Sequence, residues 1–424
     1  MLDKNIQILD LFKSSIFYLL SQLSIFGLPV VLIPLLTRAL SPEEFGITSL
    51  FFTLLSGLSG FVLLSGTGSV TRKFFFKDDD SFNFQCYIFN AVFVNVALCV
   101  FTLPLFYLLW RFNVFTLPSW LYLILPPMLL LTVVKTYKYK LWNVQKNSKS
   151  FAFFDFGFSF LGFSGVLLWV WCISNGAEAR IIPMFFVEMM FCFLGVYFLV
   201  KEDGFEIAIN IDYIKDIFKY GLPLLPHSIG LLLLGSFDKL IIGSFLDLAS
   251  VGLYSIAVSY ASLLSIFTIS FDNLLRPILY EIFKRDRRDE DARYVFIFCV
   301  FLVSISVLAI IQYKAMTWVF PFFVGEDFQR AQEFVFWLIG SQICFALYRF
   351  WVKSIFFFGV TIWVSIATLI AGLLTLVCNI LLVPKFGIEG AAVSSFFGSL
   401  ASAILVFFFS LRTYKIRFKF FIEK

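Results

Sequence analysis

The chain has 424 residues, of which 60% are apolar and only 14% charged, with a formal net charge of +5. Soluble domains run nearer about 45–50% apolar and about 25% charged, because polar side chains must cover their surface. This composition excludes a water-soluble globular protein and makes lipid the solvent for much of the surface.

A bilayer core of about 30 Å takes roughly 20 apolar residues as helix. Runs of that size predict spans near 14–36, 46–70, 84–110, 119–134, 152–173 and 181–200, then 218–242, 249–275, 295–313, 331–353, 361–383 and 388–410. The fourth is short. Transmembrane β-strands would show about ten residues of alternating polarity, whereas these runs are continuous. The expected fold is therefore an all-α membrane protein of about twelve transmembrane helices. The first span has no small-x-small cleavage site and reads as a retained helix, not a cleaved signal.

Lysine and arginine orient the helices. With the N-terminus in the cytoplasm, only Arg38, Arg111, Arg180, Lys314, Arg330 and Lys385 fall in outer loops. Lys239 stays within a span, and every other lysine and arginine falls inside. All loops are short, the regime in which the positive-inside rule holds, so both termini are expected in the cytoplasm. The positive net charge is then a topology signal, and no nucleic-acid partner is implied. Trp110, Trp120, Trp169 and Trp171 at outer ends, and Tyr137, Trp142 and Trp351 at inner ends, form the expected interfacial belts.

Seven cysteines are scattered singly with no C-x-x-C pair, so they read as small buried residues, with no metal site. The 60 phenylalanines are most simply explained by A/T-biased codon usage. No G-x-x-x-x-G-K-[ST] run exists, so neither a nucleotide cofactor nor any other is expected. The longest polar stretches, 201–217 and 276–294, are too short for a catalytic domain, and no enzymatic activity is expected. The first of them reads as an interfacial amphipathic lead-in and the second as a solvated inner loop.

The chain matches itself at two offsets near half its length. A shift of 206 lays ALSPEEFGITSL (39–50) on FLDLASVGLYSI (245–256), with Gly46 on Gly252 and Ser49 on Ser255. A shift of 211 lays NGAEARIIPMFF (175–186) on FGIEGAAVSSFF (386–397), with Gly176 on Gly387 and Glu178 on Glu389. Both pairs lead from an outer loop into the next span. This implies a duplicated six-helix unit, 1–203 and 204–424, the halves repeating in parallel as two pseudo-symmetric six-helix bundles around a central cavity. Transporters of that build bind substrate between the halves and rock them.

Three stretches resemble a known family. LPVVLIPLLTRALSPEEFG (28–46), YGLPLLPHSIGLLLLGSFDKLIIGSFLDLASVGLYSIA (220–257) and VCNILLVPKFGIEGAAVSS (377–395) are similar to the corresponding helices of bacterial O-antigen and polysaccharide flippases. These flippases are the oligosaccharide-lipid branch of the multidrug/oligosaccharidyl-lipid/polysaccharide superfamily. The resemblance implies a flippase in the bacterial inner membrane. Its substrate would be an undecaprenyl-pyrophosphate-linked oligosaccharide, moved from the cytoplasmic to the outer leaflet by alternating access. Membrane lipid, a polysaccharide polymerase and a chain-length regulator are the implied partners. The rival readings are a cation-coupled small-molecule exporter of the same superfamily and a non-transporting member of a polysaccharide assembly complex. An exporter would favour acidic cavity residues, and the first span has no acid.

Ionisable residues within spans cost about 2.5–3.5 kcal/mol each at a helix centre and are functional candidates unless they can snorkel. Arg38 and Lys239 lie towards outer ends and are candidate pyrophosphate ligands, with Asp238 holding a cation. The alternative is an interfacial snorkel beside a structural ion pair. Arg72, Arg276 and Arg349 lie near inner ends, where arginine forks suit phosphate capture but topology alone would also place them. Asp272 sits one turn from Arg276 and is expected to pair with it. Glu188 has no basic residue at i±3 or i±4 and is expected to be protonated, either as a coupling carboxyl or as a neutral hydrogen-bonded acid. Asp155 lies close enough to the interface to be solvated. Pro223, Pro226 and His227 break the start of the seventh span and mark a hinge. Asn90, Asn95, Gln342 and Asn379 are expected to bond helices together.

Overall fold

The computed structural model describes residues 28, 31–63, 66–79, 82–112, 117–145, 147–285 and 288–414. Most of the first predicted span lies outside these residues, as do Arg287 and the tail from 415. Among the described residues there are helices and no strand. Ten helical stretches are long and apolar enough to cross a membrane. The last, Ile362–Thr413, has 52 residues, about 78 Å at the α-helical rise and more than two bilayer cores. It is two crossings joined at Gly387, whose φ of 60° favours a residue without Cβ.

The chain divides by internal contacts into two units, Met1–Leu225 and Pro226–Lys424. The first contains α1 (31–39), α2 (Pro42–Leu63), α3 (Gly66–Lys73), α4 (Phe84–Phe101), α5 (Leu103–Arg111), α6 (Ser119–Val144), α7 (Ser148–Cys172) and α8 (Glu178–Phe198). A π turn over Leu199–Asp203 leads to α9 (Ile211–Gly221). The fourth span is not short: α6 runs ten residues beyond the expected end at 134, because YKYKLW continues a helix whose apolar faces are buried. Lys135 and Lys138, assigned to a loop from sequence, are therefore helix residues.

By contacts the units divide at 225/226, and residues 204–221 are bonded to the first unit. The buried amide of Asn90 donates to the Ala208 carbonyl at 2.8 Å and accepts from the Asn210 amide at 2.9 Å. Asn83 Nδ2 donates to Glu206 at 2.5 Å, and the Tyr213 hydroxyl accepts from the Asn83 amide at 3.1 Å. Ile217 packs into the core of Val70, Tyr87, Ile88 and Tyr137. The lead-in helix α9 is thus a strap laid on its own bundle. Asn90 and Asn95 do bond segments together, Asn95 donating to the Val62 carbonyl at 2.5 Å.

The second unit contains α10 (Leu225–Gly235), α11 (Phe237–Phe245), α12 (Leu248–Ala261), α13 (Leu263–Arg285), α14 (Arg288–Phe323), α15 (Val335–Phe357) and α16 (Ile362–Thr413). Little hydrophobic force drives helices together in lipid, so close backbone approach matters more. A Cβ on Gly230 of α10 would lie 2.6 Å from the Thr368 carbonyl carbon of α16, and one on Gly372 would lie 2.8 Å from the Gly230 carbonyl oxygen. Backbone meets backbone there.

The internal repeat has a structural counterpart. Ser41 caps α2: its Oγ accepts from the Glu44 amide at 3.3 Å while Glu44 Oε2 accepts from the Ser41 amide at 3.2 Å, a capping box. At the 206-residue offset, Asp247 caps α12 by accepting from the Ser250 amide at 2.6 Å. The same helix turn begins at the same place in each unit, closed by different chemistry.

Candidate functional site

In the first unit, charged side chains gather along α6. Lys135 Nζ lies 2.7 Å from Glu188 Oε2 of α8 and 3.5 Å from the centre of the Phe158 ring of α7. One turn on, the fully buried Lys138 lies 2.5 Å from Asp203 and 2.8 Å from Glu202. Trp142 Nε1 and Gln145 Nε2 donate to the same two carboxylates at 2.9 and 2.5 Å. Glu188 is therefore not unpaired, as its own helix suggested. Its partner comes from a neighbouring helix, which i±4 reasoning cannot see. Its second oxygen, Oε1, is buried without a hydrogen-bond partner.

Arg72 reaches Asp216 of α9 at 2.9 Å and lies 4.8 Å from the Tyr220 ring centre. Lys73 lies 3.7 Å from the same carboxylate, and the Tyr87 hydroxyl donates to it at 2.8 Å. Two cations share one acid, so a positive excess remains. Arg38 is exposed, with Nη1 donating to the Pro34 carbonyl at 3.0 Å.

In the second unit, Asp238 at the start of α11 is buried. Its Oδ2 accepts from the Tyr254 hydroxyl of α12 and from Ser395 Oγ of α16, the latter at 3.0 Å. Its Oδ1 accepts from the Lys239 amide at 2.8 Å. Asp238 is thus held by hydroxyls of two other helices. Asn379, also on α16, donates to the Thr375 carbonyl at 3.0 Å, and its Oδ1 is buried without a partner.

A second cluster centres on Asp272. Arg276 pairs with it at 2.7 Å as the one-turn spacing predicts, and Lys353 of α15, also at 2.7 Å, binds its other oxygen. Lys353 donates to the Arg349 carbonyl at 2.9 Å, and the Arg349 guanidinium lies 5.0 Å from the Phe345 ring centre. Asp272, Arg276 and Arg349 are thereby brought into one group, with Lys353 at its buried centre. Lys353 looked like an inner-loop cation in sequence; only its 4% side-chain exposure reveals the role. Pro223 lies in a 3-10 turn over Leu222–Leu224, and Pro226 is the second residue of α10, at the unit boundary. His227 Nδ1 is 3.0 Å from Thr368 Oγ1.

Residues 11–283 match the model of a family described as polysaccharide biosynthesis protein. A protein of the Lsg locus of Haemophilus influenzae is 23% identical over 359 residues, covering 81% of this chain and 80% of that protein. The structure is similar to that of the lipid II flippase MurJ in an inward closed conformation, with a TM-score of 0.69 at 15% identity, covering 94% of this chain and 87% of that one. It is also similar to the Vibrio cholerae MATE transporter VcmN, with a TM-score of 0.63 at 14% identity, covering 97% and 98%. At those identities the likeness speaks for the fold alone. The family match covers more than half of the chain, the helices are those of a multi-pass membrane protein, and the fold is that of the MOP-superfamily transporters. The chain is a multi-pass membrane protein that belongs to the polysaccharide biosynthesis protein family.

Proposed function

We propose that the protein flips an undecaprenyl-pyrophosphate-linked oligosaccharide, a surface-polysaccharide repeat unit, from the cytoplasmic to the outer leaflet of the bacterial inner membrane. The observation that carries this reading is the excess of cations at its charged clusters. Arg276, Arg349 and Lys353 gather around the single Asp272, and Arg72 and Lys73 share Asp216. Partly neutralised cations at the membrane boundary suit an anionic head group. Family membership favours a polysaccharide precursor over a drug-like cation.

On this reading the polar head group passes through a charged path while the lipid tail stays in the bilayer. Arg72, Arg276 and Arg349 capture the pyrophosphate on the cytoplasmic side, and Arg38 and Lys239 receive it on the other. The two units rock about the break at Pro223, Pro226 and His227. Asp238, in its hydroxyl cage, and Glu188, with one unpartnered oxygen, are the carboxyls available for coupling to a proton or sodium ion.

Deletion of the protein tests the reading. Lipid-linked oligosaccharide should accumulate on the cytoplasmic face, hidden from a lectin or glycosidase added outside. Accumulated material fully accessible from outside would mean that transport is not the missing step.

A further inference from the structure

The first unit holds a cavity of about 300 Å³ between α1, α2, α7 and α8 whose lining includes Phe52, Asp155, Phe158, Ser159, Phe163 and Arg180. Arg180 was placed in an outer loop from sequence. It is instead the third residue of α8. An arginine there would be expected to snorkel outwards to lipid phosphate. It does the opposite: Nη1 donates to Thr48 Oγ1 at 3.2 Å, and the guanidinium sits 5.4 and 5.2 Å from the ring centres of Phe45 and Phe52. These three residues belong to the first turns of α2, so the cation is turned inwards along that helix.

Among the described residues, Arg180 makes no ion pair. The clusters at Arg72, Lys135, Lys138 and Lys353 each neutralise a cation with a carboxylate. A guanidinium has five N–H donors in a planar fork suited to phosphate, and one hydroxyl uses only one of them. Asp155 lines the same cavity from 11 residues before Val166 on α7, about 16 Å along the helix axis. Close packing holds this geometry: a Cβ on Gly162 would lie 2.8 Å from Met184 Sδ, and one on Gly165 would lie 3.3 Å from Pro183 Cβ. The cavity therefore offers a cation towards one end, a carboxylate and Ser159 hydroxyl towards the other, and aromatic rings between. Lys135 covers the Phe158 ring at 3.5 Å.

We infer that this cavity is a subsite for a glycosyl phosphate group: Arg180 takes phosphate oxygens, Asp155 and Ser159 take sugar hydroxyls, and the phenyl rings pack on the sugar face. A carboxylate accepts up to about four hydrogen bonds, and a volume of 300 Å³ is at the small end of ligand cavities. It suits one sugar with its phosphate, not a whole oligosaccharide. The inference rests on the flippase reading and deepens it, placing recognition of the first sugar and its phosphate within one unit.

The test uses full-length protein in nanodiscs, with Ser159→Cys in a background lacking native cysteines and Ser174→Cys as control. The probe is a water-soluble glucosyl pyrophosphate with a ten-carbon prenyl tail, compared with inorganic pyrophosphate and free glucose. The pyrophosphate probe should slow maleimide labelling at position 159 at least fivefold and leave position 174 unchanged. Inorganic pyrophosphate should protect partially, and glucose not at all. Arg180→Gln should abolish the protection and Arg180→Lys keep part of it. Thermal stabilisation by the probe, present with native Ser159 and lost in Arg180→Gln, gives the same answer if the cysteine variant folds poorly. Protection that survives Arg180→Gln overturns the subsite. So does absence of both protection and stabilisation in a carrier that still flips its native lipid-linked substrate in vesicles, and the proposed function then stands without it. Failure of the unmutated carrier to flip that substrate overturns the proposed function itself.

Discussion

Lys135 Nζ of α6 lies 2.7 Å from Glu188 Oε2 of α8, and both side chains are largely shielded, at 15% and 4% exposure. Breaking a buried pair by removing one partner costs about 3–5 kcal/mol, whereas replacing both by apolar residues of similar size is often neutral. Lys135→Met alone should therefore lower the thermal midpoint of the detergent-solubilised protein strongly. The double variant Lys135→Met with Glu188→Leu should recover most of the loss. A single variant as stable as the unmutated protein would show that the pair does not form.

The contact of α10 with α16 predicts a sharp difference between two glycines eleven-residue α10 carries. Gly230→Leu drives a side chain into the Thr368 backbone, whereas a Cβ on Gly235 meets nothing within 4 Å. Overpacking costs about 1–3 kcal/mol or more. Heating followed by size-exclusion chromatography should show early loss of folded Gly230→Leu protein, with Gly235→Ala close to the unmutated chain.

Orientation is checked by cysteine labelling from outside in a background lacking native cysteines. Single cysteines at Ser174 and Asn175, which precede the buried Ala177 and Ala179, should be labelled and those within 143–150 protected. The reverse pattern would invert the assignment of both termini and of every proposed ligand.

Driving force gives a further prediction. A head group with two net negative charges moving outwards is driven by an inside-negative potential and gains about 2.3 kcal/mol per charge per 100 mV, or roughly 4–5 kcal/mol per 100 mV in all. Protein cations travelling with it would cancel part of this. A potassium-diffusion potential should therefore change the flipping rate in proteoliposomes. Asp238→Asn or Glu188→Gln should alter its proton or sodium dependence. Indifference of the unmutated carrier to potential, pH and sodium would leave a passive carrier drawn by polymerisation outside.

Composition and periodicity were enough for the helical membrane fold, since a bilayer imposes one length and one polarity on every crossing. The ALSPEEFG and FLDLASVG repeat was also legible, because a helix cap is a local device: Ser41 with Glu44, and Asp247 with Ser250, are each contained within four residues. The Asp272–Arg276 pair was legible for the same reason, both residues lying one turn apart on α13. What sequence could not supply were the partners of Glu188, Asp216 and Asp238, which lie 53, 144 and 157 positions away at Lys135, Arg72 and Ser395. It also placed Arg180 in a loop, although its side chain turns inwards onto α2. Hydropathy reports how deep a residue lies along its own helix; the direction it faces, and the helix it meets there, are set by packing of small residues such as Gly162, Gly230 and Gly372. Only the tertiary structure decides which charges are neutralised and which remain available to a substrate.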